Sequence, residues 1–247
     1  MEKSLGTNTL GTKIKFFRKR AGMSQMELEN EVLASAGVVS RFESDSVNPS
    51  IKTLRKISVA LKLSEYERSY LYGTFVEPVS PKQVELAREK VKTWFDKKGT
   101  LAYMVDERSR VWFVSDSFLK FMKIPKDLVE KNYGEVIHKF LVDPELNLIT
   151  LVPRFKRKDV YRDLFHRTRR EMSFMIGDPW YKEVMKYIDS DDLAQEVWKE
   201  VLSEPIKELH TIDNRIVLFK MGPIKISKQF SVEPVLDNER FRVVEWS

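Results

Sequence analysis

The feature that most constrains the fold is a change in apolar spacing on the two sides of a proline-rich stretch. From Leu10 to about Phe75, apolar residues recur at the three- and four-residue intervals of helices, with short breaks between segments. The stretch VEPVSP at 76–81 then carries two prolines, and because proline cannot continue a helix, it predicts a linker. Helical spacing resumes over 82–97. We therefore predict an all-α domain of five short helices, followed by a connecting helix.

Beyond Gly99 the pattern changes to strands. Residues 101–115, LAYMVDERSRVWFVS, are two β-rich runs around DERS and predict a hairpin. Helical segments follow to about Val201, and the tail over 215–246 returns to strand-like runs. This order predicts an α+β domain whose sheet is completed by the C-terminus. The predicted boundaries are 1–76 for the helical domain, 77–98 for the linker and connecting helix, and 99–247 for the α+β domain.

Composition narrows the class of protein. Of 247 residues, 43 are Lys or Arg and 37 are Asp or Glu, and this net charge of +6 is too small by itself to indicate nucleic-acid binding. The absence of cysteine excludes disulfides, thiolate metal sites and cysteine nucleophiles. No apolar run approaches ~20 residues, and the polar start lacks a signal-peptide core. We expect a cytoplasmic protein with no membrane association.

Residues 22–61 contain helix caps and turn residues in a regular series. Ser24 is a natural N-cap, and Glu27 completes a capping box; Ser35 is predicted to cap the next helix. The stretch resembles the Xre-type helix-turn-helix of phage repressors and aligns to it without a gap. The matching positions are Gly22-Met23-Ser24-Gln25, Glu27-Leu28, Ser35, Ser40-Arg41, Glu43, Asn48-Pro49-Ser50, Thr53-Leu54 and Ala60-Leu61. The resemblance implies a five-helix, lambda-repressor-like domain that binds double-stranded DNA.

The resemblance also implies which residues contact DNA. Gln25 would touch the backbone, and bases would be read from the positions of Ala36, Gly37, Ser40 and Arg41. Ala36 and Gly37 cannot make a bidentate contact with adenine, so Arg41 is the only long donor on the recognition helix. We expect modest base discrimination, with a larger share from phosphate contacts and DNA shape. The predicted DNA-binding residues are Ser24, Gln25, Ser35, Ala36, Gly37, Ser40, Arg41 and Asn48.

Other positions bear on the packing of this domain. The turn glycine of the family is Leu33 here, which predicts a bend other than the tight left-handed turn. At a position of the second helix where the family usually has a small residue, this chain has Glu29. The resemblance pairs Arg18 with Glu43 as a structural ion pair. A basic cluster is expected to add affinity for the DNA backbone; it comprises Lys13, Lys15, Arg18, Lys19 and Arg20. The alternative is that the helix-turn-helix is a protein-interaction module.

The second half resembles the MmyB-like regulators, in which a PAS-like ligand-binding domain follows the DNA-binding domain. Matching stretches are 101–118, 131–146, 161–171, the later GDPW at 177–180 and the closing strands. The resemblance implies a cavity for a small apolar, fatty-acid-like molecule. The residues predicted to line it are Met104, Trp112, Phe118, Phe121, Met122, Phe140 and Phe174. The same residue types equally fill an ordinary core, and the domain is then only a dimerisation scaffold.

Residues 154–171 form a basic segment. Val160, Leu164, Thr168 and Met172 recur every four residues and predict one buried face. The charges on the remaining faces form either a solvated surface or a platform for phosphates or an acidic headgroup.

The sequence gives little support for an enzyme. Its three histidines, His138, His166 and His210, are far apart, and no phosphate loop or nucleophile elbow is present. We expect no catalytic residues, no metal and no cofactor.

We expect a homodimer that binds an inverted-repeat operator, because one recognition helix of this composition supplies little specificity. The apolar residues of 82–97 are the favoured dimer contact.

Overall fold

The computed structural model describes residues 9–73, 78–172, 175, 178–204, 212–221, 224–235 and 238–246. These residues fall into two compact units. The first contains the described residues up to 73 together with those between 168 and 181. The second contains the described residues within 78–167, 182–204 and 212–246. The division differs from the predicted boundaries, because the helix after the linker groups with the second unit and 168–181 group with the first.

The first unit contains the five predicted helices between residues 9 and 73. They are α1 (Leu10–Arg20), α2 (Gln25–Val32), α3 (Val38–Glu43), α4 (Ile51–Ala60) and α5 (Glu65–Leu71). Serine or threonine caps four of them, since the side chains of Thr9, Ser24, Ser50 and Ser64 each accept a backbone N–H of the first turn. Their apolar faces meet in a core whose fully buried members include Ile14, Phe17, Leu28, Val39 and Ile57.

The second unit is built on an antiparallel sheet. Its helices are α6 (Pro81–Phe95), α7 (Asp116–Met122), α8 (Lys126–Lys131), α9 (Ile137–Val142), α10 (Arg154–Met172), α11 (Pro179–Asp189) and α12 (Asp192–Ser203). Its strands are β1 (Leu101–Asp106), β2 (Val111–Val114), β3 (Ile212–Met221), β4 (Ile224–Val235) and β5 (Asn238–Trp246). The last residues of α10 and the first of α11 group with the first unit.

The sheet confirms the strand predictions. Its order is β2-β1-β5-β4-β3. The predicted hairpin is β1–β2, with Tyr103 opposite Val114. The C-terminal strand β5 pairs with β1 from Leu101 opposite Trp246 onward, so the chain's end completes the sheet. The α+β class is therefore confirmed.

Helix α6 covers one face of this sheet. Pro81 occupies its first turn, where the missing N–H costs nothing, and Ser80 caps it. Val84, Ala87, Val91 and Phe95 are buried in one cluster with residues of β1 and β5. Trp94 packs against the same cluster, and only Leu86 of the apolar set in this helix is largely exposed. The expectation that 82–97 has spare apolar surface for a dimer contact is wrong, because that surface is used within the chain.

Alternation along β1 places neighbouring side chains on opposite faces of the sheet. Met104 belongs to the cluster under α6, whereas Tyr103 and Val105 line a cavity on the other face.

Within the described ranges, no helix combines the length and apolarity needed to cross a bilayer.

Candidate nucleic-acid interface and ligand cavity

Helix α2 begins as predicted. The Ser24 hydroxyl accepts the backbone N–H of Glu27 at 3.1 Å, and the Glu27 carboxylate accepts the N–H of Ser24 at 2.6 Å. This capping box holds the pKa of Glu27 below its usual value. The helix ends at Leu33, whose φ of 55° and ψ of 50° are left-handed. The expectation of a different bend is wrong: the left-handed turn is kept, with leucine in a conformation that favours glycine.

The recognition helix α3 begins later than the sequence predicts. Gly37 is its N-cap, with a φ of 77°, and glycine has no side chain that could accept a backbone N–H of the first turn. The prediction that Ser35 caps this helix is therefore wrong. Instead, the buried Glu29 of α2 accepts the backbone N–H of Val39 at 2.9 Å. A carboxylate at this end also suits the positive pole of the helix.

The sequence analysis did not predict this capping role of Glu29. It joins residues ten positions apart, whereas the usual cap patterns span three. The signal was the departure itself, an acid at a position where the family has a small residue. A buried carboxylate requires a hydrogen-bond donor, and the first turn of α3 supplies it.

Most of the predicted DNA-binding residues lie on the surface of the first unit. Ser40 and Arg41 are exposed on α3, and Ser35, Ala36 and Gly37 are exposed in the turn before it. Ser24 and Asn48 are exposed as well. Gln25 is half-buried, and its amide donates to Glu43 at 2.8 Å, so the first turn of α2 is tied to the last turn of α3.

Arg18 and Glu43 form a buried, bidentate ion pair. The two hydrogen bonds run from Nε to Oε1 at 2.5 Å and from Nη2 to Oε2 at 2.9 Å. The Arg18 guanidinium also donates to the carbonyl of Met23 at 2.6 Å. Together with Gln25, this pair fixes α1, the turn after it, α2 and α3 in one arrangement. Such fixed geometry orients the exposed side chains of α3.

The basic cluster of α1 is only partly available to DNA. Lys13 donates to the carbonyl of Tyr70 at 2.8 Å, and burial lowers its pKa. Arg20 pairs with Glu67 at 2.5 Å and lies over the ring of Phe17. With Arg18 held by Glu43, only Lys15 and Lys19 of the five predicted residues are exposed. Lys13, Arg18 and Arg20 are therefore engaged in contacts within the chain, and the contribution of the cluster to backbone affinity stays a prediction that rests mainly on Lys15 and Lys19.

The second unit contains a cavity of about 160 Å³ on the sheet face opposite α6. Its walls are mostly aliphatic and aromatic. Of the predicted lining residues, Phe118, Met122 and Phe140 are in its wall. Met104 and Trp112 pack in the cluster with α6 instead, and Phe121 is not part of the wall. Phe174 lies outside the described residues.

Four polar residues also line the cavity, and the sequence did not identify them: Tyr103, Ser109, Asp163 and Arg167. Asp163 and Arg167 are four residues apart on α10 and therefore share one helix face. Burial raises the pKa of Tyr103 to about 12, although the charge of Arg167 acts in the opposite direction. The sequence held one indication of this position. Leu164 belongs to the predicted buried face of α10, and Asp163 and Arg167 lie one residue before it and three residues after it.

The basic residues of α10 are paired along one side. Lys158 donates to Glu196 at 2.8 Å and to Glu200 at 2.7 Å. Arg162 pairs with Glu200 and Glu204, and His166 lies 3.1 Å from Glu204. Carboxylates of α12 and of Glu204 after it therefore neutralise the charges of Lys158 and Arg162. The alternative of a phosphate platform is correspondingly weakened.

Within the part of the chain that the structure describes, no group of three or more His, Cys, Asp and Glu side chains is arranged to hold a metal ion.

Comparisons with known proteins bear on the first unit. A comparison with curated proteins finds no match. Residues 14–67 match the family model HTH_3, helix-turn-helix, and this match supports an Xre-type helix-turn-helix domain in the first unit.

Proposed function

We propose that the protein is a sequence-specific transcription regulator that binds DNA through the first unit and responds to a small apolar molecule in the second. The observation that carries the proposal is the exposed surface of α3 held by the Arg18–Glu43–Gln25 network. A helix fixed in this way can present the same side chains to every operator. The match of residues 14–67 to a helix-turn-helix family supports this role.

The composition of this surface supports weak base discrimination. Helix α3 has only six residues, and Ala36 and Gly37 precede it instead of occupying its first turn. Arg41 is the long hydrogen-bond donor on its exposed side and can reach guanine or a phosphate. The remaining affinity then comes from exposed lysines, polar side chains and helix N-termini on the DNA backbone.

We predict that Arg41→Ala weakens operator binding more than binding to unrelated DNA. A bidentate contact with guanine contributes ~1–3 kcal/mol of discrimination, whereas a phosphate contact contributes equally to all sequences. The operator is first selected from random duplexes, and affinities for it and for a scrambled duplex are then compared at one salt concentration. Lys15→Ala, an exposed basic residue of α1, is the matched control and should weaken both equally. An equal loss for Arg41→Ala would make it a phosphate contact.

The second unit supports the ligand part of the proposal through its cavity. An antiparallel five-stranded sheet with helices inserted between its second and third strands fits the PAS-like resemblance. Mass spectrometry of small molecules extracted from the purified protein tests for a ligand, and operator binding is then measured with and without it. If no extracted molecule changes the affinity for the operator, the result would favour a second unit that serves only as a dimerisation scaffold. A protein with no salt-dependent DNA affinity would be an interaction adaptor.

A further inference from the structure

We propose, on the basis of the ligand-responsive function above, that the cavity accepts a compact amphipathic molecule with an uncharged head that both donates and accepts hydrogen bonds. An amide of a chain with about six to eight carbons has this chemistry. A long-chain carboxylate does not. Three features of the cavity lead to this choice: its volume, its apolar wall and its pair of opposite charges.

The volume limits the size of the ligand. At about 160 Å³, the cavity is close in size to an engineered apolar cavity of ~150 Å³ that binds benzene, a molecule with six carbon atoms. A saturated chain of fourteen carbons has more than twice as many atoms. The methylenes beyond about the eighth carbon would then remain outside the walls formed by residues such as Phe118, Met122 and Phe140, where water solvates them and no burial energy is gained.

The charges limit the chemistry of the head. Asp163 and Arg167 both line the cavity and lie one helical turn apart on α10. A carboxylate that approaches Arg167 therefore also approaches the carboxylate of Asp163, which repels it. An amide suits both residues, because its N–H groups can donate to Asp163 while its carbonyl oxygen accepts from Arg167.

Tyr103 adds a further donor. It lines the same cavity from β1. Burial keeps this hydroxyl protonated, with a pKa of about 12. It can thus donate to a carbonyl oxygen or to an alcohol. The resulting set of two donors and one acceptor matches a neutral polar head better than an anionic one.

Two series of probes test this inference on the full-length protein. Linear primary amides and the corresponding carboxylates, from four to fourteen carbons, are titrated at pH 7 by calorimetry. We expect the amide of each length to bind more tightly than the carboxylate. Affinity should rise about fourfold per added methylene until the cavity is filled near eight carbons, and then level off.

A charge-changing variant tests the role of the pair. Asp163→Asn removes the repelling carboxylate at nearly constant size, so the preference should turn toward the carboxylates. Asp159→Asn is the matched control; this exposed acid on the same helix pairs with Lys156 and is not part of the cavity wall. It should leave the preference unchanged. Tyr103→Phe keeps the ring and should weaken amide binding about two- to tenfold through loss of one hydrogen bond.

The outcomes separate this inference from the function on which it rests. Carboxylates that bind more tightly than amides, with affinity still rising to fourteen carbons, would overturn the inference. If those carboxylates also change operator binding, the proposed function stands without it. If neither series binds, the inference fails as well, and the ligand-responsive function then depends on the extraction experiment alone. An unchanged preference in Asp163→Asn would contradict the role assigned to the charge pair.

Discussion

At the scale of single residues, four side chains determine how the recognition helix is presented. Glu43 accepts hydrogen bonds from both Arg18 and Gln25, and Glu29 accepts one from Val39. All three contacts join residues of different helices. A charge in a buried network is held there because its partners compensate the loss of hydration. The orientation of α3 therefore depends on a few polar contacts in addition to the apolar core.

We predict that Arg18→Ala and Glu43→Ala destabilise the first unit by ~3–5 kcal/mol, because each leaves the other charge buried without its partner. The chain has two units, so one melting temperature does not describe the loss. Hydrogen exchange of the α1 and α3 amides in urea, measured on the full-length protein, isolates it. Lys19→Ala removes an exposed charge next to Arg18 and should leave exchange unchanged. Equal exchange in all these variants would contradict a stabilising role for the pair.

We further predict that Glu29→Ala loosens α3 alone. Loss of a helix-capping acceptor typically costs ~1 kcal/mol, which corresponds to about fivefold faster amide exchange in α3. Mass-spectrometric hydrogen exchange resolves the segment. Glu31→Ala, an exposed acid of the same helix, provides the control. If α3 exchanges at the parent rate, the Val39 N–H does not depend on Glu29.

At the scale of elements, the sequence predicted what depends on local pattern. The five helices, the capping box at Ser24, the β1–β2 hairpin and the strand at the C-terminus follow from apolar period and turn chemistry, and all are present. The start of α3 was misplaced because its cap comes from Glu29 on another helix. Likewise, local pattern could not show that α6 is buried against the sheet or that α12 neutralises α10. Such contacts are set by tertiary packing.

The same limit applies to the cavity. Three of the predicted aromatic and methionine residues line it from helices α7 and α9, whereas Met104 of β1 and Trp112 of β2 lie on the sheet face covered by α6. A one-residue shift along a strand reverses that face. The polar residues of the wall were missed because Asp163 and Arg167 look like ordinary members of a charged helix.

Helix α9 contains a histidine, His138, whose protonation opposes folding in acid. His138 is buried on α9, its ring lies parallel to that of Phe165, and burial lowers its pKa to about 3. The unfolded chain binds a proton near pH 6.5, so between pH 6.5 and 3 it holds more protons than the folded chain. The free energy of unfolding should therefore fall as the pH decreases through this range.

We predict that His138→Phe removes this dependence. Relative to the parent, the variant should gain about 1.4 kcal/mol per pH unit as the pH falls from 6 to 4. Burial and the nearby Glu107 raise the pKa of Asp106 to about 6, which acts in the opposite direction, so the difference between variant and parent is the quantity to measure. Urea unfolding at several pH values provides it. Phe140→Leu alters the same helix without a titrating group, and its difference from the parent should not vary with pH.

At the scale of the whole molecule, the two units divide the proposed work. The first contains the helix-turn-helix domain, and the second contains the cavity. The mild net charge of +6 agrees with a protein whose DNA affinity is local to one surface, since much of the charge elsewhere is paired, as along α10. A regulator built this way needs some further source of specificity, because its recognition helix contributes few base contacts.

We predict that this source is assembly into a homodimer. Each good base contact contributes only ~1–3 kcal/mol, whereas selecting one site in a genome requires ~4–10 kcal/mol over non-specific binding. Two recognition helices ~34 Å apart on one face of the duplex would read an inverted repeat and approach that value. Helix α6 is not the contact, since its apolar face is buried, but the sheet ends in β3, which pairs only with β4 among the described strands. Light scattering with and without operator should give two copies of the chain, and Leu86→Asp on α6 should leave that mass unchanged. A monomer under both conditions, bound once to an asymmetric site, would contradict the prediction, and dissociation by Leu86→Asp would move the contact back to α6.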